Sequence, residues 1–188
     1  VRLVLASASP QRSEILRRLG VEFKVAVAGV EELESGPPEE VALENAYRKA
    51  AAVAAEHAGA TVIGADTVVA IGATIYGKPA DREAARATLE ALAGREHAVL
   101  SALCVICRGR ARTAAARTVV RIRRVSEELM RWYLDSGEWR DRAGAYAIQG
   151  RGAALVERID GDYTNVVGLP VGTLLELVPE LIGGVPSS

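Results

Sequence analysis

The sequence predicts an α/β fold, a mixed twisted β-sheet with flanking helices. Three observations lead there. Short apolar runs alternate with helix-like segments along the chain, the order that builds layered α/β cores. Several helical segments open on Ser, Asp or Pro and close on Gly. Two long strand-like stretches, His97 to Cys107 and Arg112 to Arg123, flank a Gly109–Arg110 hairpin signal, so part of the sheet runs antiparallel.

The elements follow in order. Val1 to Ala6 (VRLVLA) reads as a buried strand. Ser9 is a good N-cap and Pro10 a good first residue for a helix that Gly20 ends. A strand running into a Ser-rich turn and a helix start is a ready anion site. Ser7, Ser9, Arg12 and free backbone N–H groups would converge there. The plain alternative is a capped helix with a surface Arg. Val21 to Ala28 is a second strand, and Gly29 to Pro38 an acidic loop. Its Glu31 and Glu32 are either metal ligands or solvated. Pro38 starts a long helix that Gly59 closes, and on it Lys49 lies about 100° round from Arg48, where its ammonium can enter a cleft.

Thr61 to Asp81 (TVIGADTVVAIGATIYGKPAD) is the most informative stretch. An apolar strand delivers Asp66 at its end, an awkward place for a charge without a metal, a cation or hydrogen bonds. A second apolar run, the Gly72 turn, a Gly77–Lys78–Pro79 loop and the N-cap Asp81 follow. A strand-borne acid and a loop-borne lysine suit phosphate and metal chemistry. The alternative is a turn-capping Asp and a surface Lys.

Beyond the hairpin, Ser126 opens a capping box (S-E-E-L) for a helix to Leu134. Trp132, Tyr133 and Trp139 cluster ahead of a glycine-rich loop carrying Tyr146 and Gln149. Glycine lets backbone approach a ligand, Tyr offers a ring, and Gln both donates and accepts. Leu155 to Ile159 is a strand, PVGTLLELVPELI the last helix, and GGVPSS a frayed tail.

Composition narrows the function. The 188 residues, 49% of them hydrophobic, fit one domain spanning 1–188 with a large core. A net charge of −1 argues against a sequence-independent nucleic-acid binder. No apolar run is long enough for a membrane span and no leader precedes the first strand, so the expectation is cytoplasmic. Cys104 and Cys107 form a C-x-x-C in an apolar strand with no second Cys or His pair, which reads as two core or near-surface residues. Only three of the 23 basic residues are Lys: Lys24, Lys49 and Lys78. Gln occurs only at positions 11 and 149, and Asn only at 45 and 165. Where a scarce type survives, a specific chemical need becomes the stronger reading.

LASASPQRSEILRRLG, GADTVV, GKPAD, AGAYAIQG and NVVGLP, in that order across almost the whole chain, resemble the Maf family of nucleoside triphosphate pyrophosphatases. The resemblance implies a mixed-sheet α/β fold with a cleft between two lobes, often a homodimer. The implied reaction takes a nucleoside triphosphate to monophosphate and pyrophosphate with a divalent metal, Mg²⁺ or Mn²⁺, in a nucleotide-pool house-cleaning role. By that resemblance Asp66 matches the catalytic acid, and Arg12, Lys49 and Lys78 match the positions holding the triphosphate. Ser7 and Ser9 match the first-loop hydroxyls, and Thr67 and Gln149 match substrate-selection positions. The AYAIQG form is similar to the subfamily acting on dTTP and UTP. Gln11 departs from the usual S-P-R-R, which leaves base preference and one phosphate contact open. A regulator of septum formation that binds nucleotide without turnover is the competing function.

A triphosphate carries about four negative charges, so Arg12, Lys49, Lys78 and Mg²⁺ are the fitting countercharge. Attack at the α-phosphorus needs an in-line water and stabilisation of charge. Asp66 can orient and deprotonate that water, ligate the metal, or both; Glu31 and Glu32 are the weaker metal candidates. Polar contacts to the base by Gln149 and Thr67 would select it.

Overall fold

The computed structural model describes residues 2–27 and 29–182, so Val1, Ala28 and the expected tail lie outside the described residues. The strands are β1 (Leu3–Ala6), β2 (Lys24–Val25), β3 (Thr61–Ile71), β4 (Thr74–Tyr76), β5 (Glu96–Cys107), β6 (Arg110–Ile122) and β7 (Val156–Asp160). The helices are α1 (Pro10–Arg18), α2 (Pro38–Glu56), α3 (Arg82–Leu92), α4 (Glu127–Ser136), α5 (Tyr163–Val167) and α6 (Val171–Leu177). All seven strands form one sheet in the order β2-β1-β3-β5-β6-β7, with β4 on β3. β1 runs parallel to β2 and β3, and the other pairs are antiparallel, so the sheet is mixed.

Where the site will lie is decided by the edges of β3. β5 pairs with it from Val62 to Ala70 on one edge. On the other edge β1 reaches only to Gly64, and β4 begins only at Val69. Ala65 to Val68 therefore face a notch with no neighbouring strand. Asp66 sits in the middle of this notch, not at the end of a strand. TVIGA and VVAI, read as separate runs, are one strand of 11 residues that stays paired to β5 straight through the acid.

Each face of the sheet has its own cover. Side chains alternate along a strand, so Val62, Val68 and Ala70 of β3 meet Val41, Ala42, Ala46, Ala50 and Val53 of α2. Gly64 makes that contact close: a Cβ there would lie 2.3 Å from the Ala46 carbonyl oxygen and 2.8 Å from the Ala50 methyl. The opposite face carries two clusters. Leu5, Leu16, Ile63, Leu103, Leu169 and Leu174 form one. Val69, Leu89, Leu92, Val99, Tyr133 and Leu155 belong to the other. Fully burying each such Leu or Ile is worth roughly 1.5–3 kcal/mol. Between the clusters, Thr67, Ser101 and Thr118 give the long strands a polar seam.

The local signals hold with a few corrections. Ser9 caps α1 with Pro10 at its start, and Asp81 caps α3 through the Ala84 amide. The second strand is only Lys24–Val25, both exposed at the sheet edge, not the expected Val21 to Ala28. The hairpin turn is Arg108–Gly109, with φ of 49° and 74°, one residue earlier than Gly109–Arg110; these left-handed angles set the strand reversal. Ser126 accepts from the Leu129 amide, but Leu129 has no side-chain acceptor to return the bond, so only half a capping box forms. The expected final helix, PVGTLLELVPELI, is broken into α6 and a 3₁₀ turn at Pro179–Ile182, and the stretch ahead of it carries the short helix α5; Gly168, at φ 116°, and Pro170 separate α5 from α6. Cys104 is buried and Cys107 half-buried, both free, as the sequence reads them. Among the described residues no helix is long and apolar enough to cross a membrane.

Candidate active site

The notch opens into a cleft of about 510 Å³ whose lining includes Ser7, Ser9, Gln11, Arg12, Glu32, Lys49, Asp66, Thr67, Lys78 and Gln149. Ten of the eleven candidate residues thus meet in one place. Glu31 does not. It is exposed, and among the described residues only its main-chain oxygen is engaged, by Arg48 Nη1 at 3.1 Å.

Asp66 is 7% exposed. Its Oδ1 accepts from Lys49 Nζ at 2.7 Å and its Oδ2 from Asn45 Nδ2 at 3.2 Å. Both partners stand on α2, which the bare Cα of Gly64 admits to the sheet two residues before the acid. Lys49 also reaches Glu32 Oε1 at 3.0 Å, so one ammonium holds two carboxylates from different elements.

Arg12 comes from the other side of β3. Its Nε donates to the Gly168 carbonyl at 2.8 Å. Nη1 donates to Ser7 Oγ at 2.9 Å and to the Ala65 carbonyl at 3.0 Å, and Nη2 donates to Thr67 Oγ1 at 3.0 Å. The Ala65 carbonyl is one that the notch would otherwise leave unpaired. Four of the five N–H groups therefore go to neutral oxygens, and no carboxylate lies within ion-pair distance of this buried cation among the described residues. Burial lowers its pKa from the ordinary value, and the carboxylates of Asp66 and Glu32 oppose that shift. An arginine starts so high that it keeps its charge.

Ser7 Oγ also accepts from the Ser9 amide at 3.2 Å, and Ser9 Oγ donates to Gln11 Oε1 at 3.0 Å, which leaves the Gln11 amide nitrogen free to donate. Thr67 Oγ1 is held between Arg12 and Ser101 Oγ, the latter at 2.8 Å. Its hydroxyl belongs to the network that fixes the arginine.

The opposite wall is loop. Lys78 and Gln149 are exposed, and Lys78 has no ion-pair partner among the described residues. The two loops meet where the Gly144 amide donates to the Gly77 carbonyl at 3.3 Å. Gly144 lies at φ 71°, and a Cβ there would come within 2.9 Å of Val69. Tyr146 lines the cleft but exposes little of itself there. It is 6% exposed, and its hydroxyl is 2.9 Å from His97 Nε2. Burial pushes the His97 pKa down to about 4 and raises that of Tyr146.

Sequence reasoning missed Asn45, Arg140 and Arg142. Asn45 belongs to the scarce amides, which was the available signal, but its contacts depend on tertiary packing. Arg140 and Arg142 add positive charge to the loop wall.

As a metal centre the site is incomplete on its own: among the described residues no three His, Cys, Asp or Glu side chains converge. Asp66 and Glu32, bridged by one ammonium, fit a hard cation of the Mg²⁺ type, which binds through one or two carboxylates and takes substrate phosphate and water for the rest.

A cationic cleft with a buried carboxylate, set where the pairing of an α/β sheet breaks, defines a polyanion-binding hydrolase class. Comparison with known proteins is specific. The Maf-like protein family matches residues 2–181, and the chain belongs to that family. It is 44% identical to the dTTP/UTP pyrophosphatase of Symbiobacterium thermophilum, over 95% of this chain and 93% of the relative. It is 49% identical to the protein of the same name from Thermococcus kodakarensis, over 93% and 94% of the two chains. Among solved structures, the Ham1 protein of Staphylococcus aureus aligns over 65% of this chain and 72% of its own, at 17% identity and TM-score 0.47, too slight a likeness to argue from.

Proposed function

We propose that this chain hydrolyses dTTP and UTP to the nucleoside monophosphate and pyrophosphate, acting as a nucleotide-pool hydrolase. The observation that carries the reading is Arg12, a buried guanidinium bonded to four neutral oxygens and turned to the same cleft as Lys49, Lys78 and Asp66. That excess positive charge is what a triphosphate neutralises. Family membership and the names of the relatives give the base and the bond.

In this reading Arg12, Lys49 and Lys78 hold the phosphates, with Ser7 and Ser9 at the turn into α1. Asp66 orients a water through Oδ1 and takes its proton. The water oxygen forms a bond to the α-phosphorus while the bond to the α–β bridging oxygen breaks, and pyrophosphate carries away the electron pair. A divalent cation, Mg²⁺ or Mn²⁺, held by Asp66 and Glu32 would supply further countercharge to the phosphates. Gln149 and Gln11 contact the base end, with Thr67 acting through Arg12. Residues 1–188 work as a single domain, because the site draws on residues from Ser7 to Gly168. The reading keeps a homodimer and no nucleic-acid partner, which sedimentation with and without DNA checks.

The test is a nucleotide panel read by pyrophosphate release with added Mg²⁺ or Mn²⁺. The expected result is pyrophosphate from dTTP and UTP, and a loss of at least about a thousandfold in Asp66→Asn at unchanged thermal stability. Tight binding without product would favour a nucleotide sensor. Single phosphate release would place the cut at the other anhydride.

A further inference from the structure

Asp66 has a buried polar partner with no place in the chemistry above. Asn45 is 2% exposed and lies in the apolar row of α2, with Val41, Ala42 and Ala46 as its companions. Its Oδ1 accepts from the Leu33 amide at 2.7 Å, and its Nδ2 donates both to the Leu33 carbonyl at 3.0 Å and to Asp66 Oδ2 at 3.2 Å. An asparagine amide has two N–H groups, and both are spent.

We propose that Asn45 is the positioning residue that joins the acidic loop to the catalytic strand, and so sets Glu32 beside Asp66. The inference rests on the function proposed above.

Three facts support it. The pair of bonds to Leu33 imitates a strand pairing and fixes the loop backbone from both sides. Among the described residues the loop has few other holds: the Leu33 side chain is 38% exposed, Glu31, Glu32 and Glu34 are exposed, Arg48 adds a single contact to the Glu31 carbonyl, and Lys49 reaches Glu32. Glu32, the next residue, then meets Lys49 at 3.0 Å, the same ammonium that meets Asp66. The third Asn45 bond separates the two Asp66 oxygens by duty. Oδ2 is tied to the Asn45 amide, and Oδ1 to the Lys49 ammonium that also meets Glu32.

The position asks for no polar group on packing grounds. Leucine has as many side-chain heavy atoms as asparagine and suits the apolar row, but Asn45→Leu leaves the Leu33 amide and carbonyl and Asp66 Oδ2 without this partner, a cost for each group that water does not reach, so the variant should fold with a lower melting temperature. It keeps α2 and removes the clamp.

A kinetic double-mutant cycle between Asn45→Leu and Glu32→Gln tests this, read by pyrophosphate release and by hydrogen exchange at the Leu33 amide. We expect kcat to fall about 10- to 100-fold in Asn45→Leu, with KM changed less than about threefold. Leu33 exchange should rise at least about tenfold, since its N–H acceptor is gone. Glu32→Gln should cost about tenfold in the natural chain and less than about twofold in the Asn45→Leu background, because a misplaced glutamate has nothing left to lose. Additive effects, full kcat in Asn45→Leu or unchanged Leu33 exchange would each overturn the proposal. Should Asn45→Leu not fold, Asn45→Ala carries the same cycle with the same outcomes. A natural chain that releases no pyrophosphate sinks the substrate reading and this role with it. Normal turnover with additive variants sinks only the role of Asn45.

Discussion

The two walls of the cleft are built on opposite plans. The scaffold wall, from β3, α1 and α2, carries Asp66, Arg12 and Lys49, all buried or half-buried and each hydrogen-bonded to residues on other elements, with Asn45 bonded to Asp66. The loop wall carries Lys78 and Gln149, both exposed. Fixed groups stabilise developing charge without reorganising at the moment of reaction. Free ones give up conformational entropy when substrate arrives. On the proposed function, the reacting bond belongs to the scaffold wall and capture of the substrate's outer parts to the loops.

Arg12→Leu should break the contrast most severely. It strands the Gly168 and Ala65 carbonyls without this donor and leaves Ser7 Oγ with only the Ser9 amide, a cost of about 4 kcal/mol at roughly 1–3 kcal/mol for each buried unsatisfied group. The thermal midpoint should drop by about 10 °C; a change under about 2 °C would show that the network is not structural.

Acid should loosen the footing of the loop wall next. His97 is 3% exposed, with its pKa pushed from 6.5 down to about 4 by burial. Between those values the unfolded chain binds the proton and the folded chain does not, so stability falls as pH drops from about 6.5 to 4, by a total on the order of 3 kcal/mol. His97→Leu should flatten this part of the melting-temperature profile. An equal slope in both proteins would assign it elsewhere.

Lys78→Ala should lower kcat/KM by about 30-fold, near 2 kcal/mol, and leave the melting temperature within about 1 °C, since the lysine is exposed and has no ion-pair partner among the described residues. Destabilisation would contradict the division of the walls. The smallest effects belong to the base end. Gln149→Ala should cost less than about tenfold with stability intact, and Gln11→Arg should reorder the pyrimidine and purine triphosphates. An unchanged ranking in both would remove the two amides from base selection.

Local chemistry made much of this legible in advance. Ser9 and Pro10 announce α1 because capping is decided within four residues. Lys49 and Lys78 stood out in a chain that otherwise writes Arg. The strand through Asp66 was read as two runs because a carboxylate interrupts an apolar pattern, and only the unbroken pairing with β5 shows that the backbone continues. Thr67 illustrates a different limit. Its position beside the cleft followed from the motif, but its hydroxyl is committed to Arg12 and Ser101, which come from elements 55 and 34 residues away. Asn45 had the same difficulty, since its partners are a loop amide and a strand carboxylate.

The notch in β3 has a consequence for solubility. Unpaired backbone along a sheet edge is a template for a foreign strand. Here the gap is four residues, about 13 Å at 3.3 Å per residue, and β1 and β4 close it at both ends. One of its carbonyls is already taken by Arg12. A gap this short and this guarded excludes an intruding chain while staying open to a small molecule.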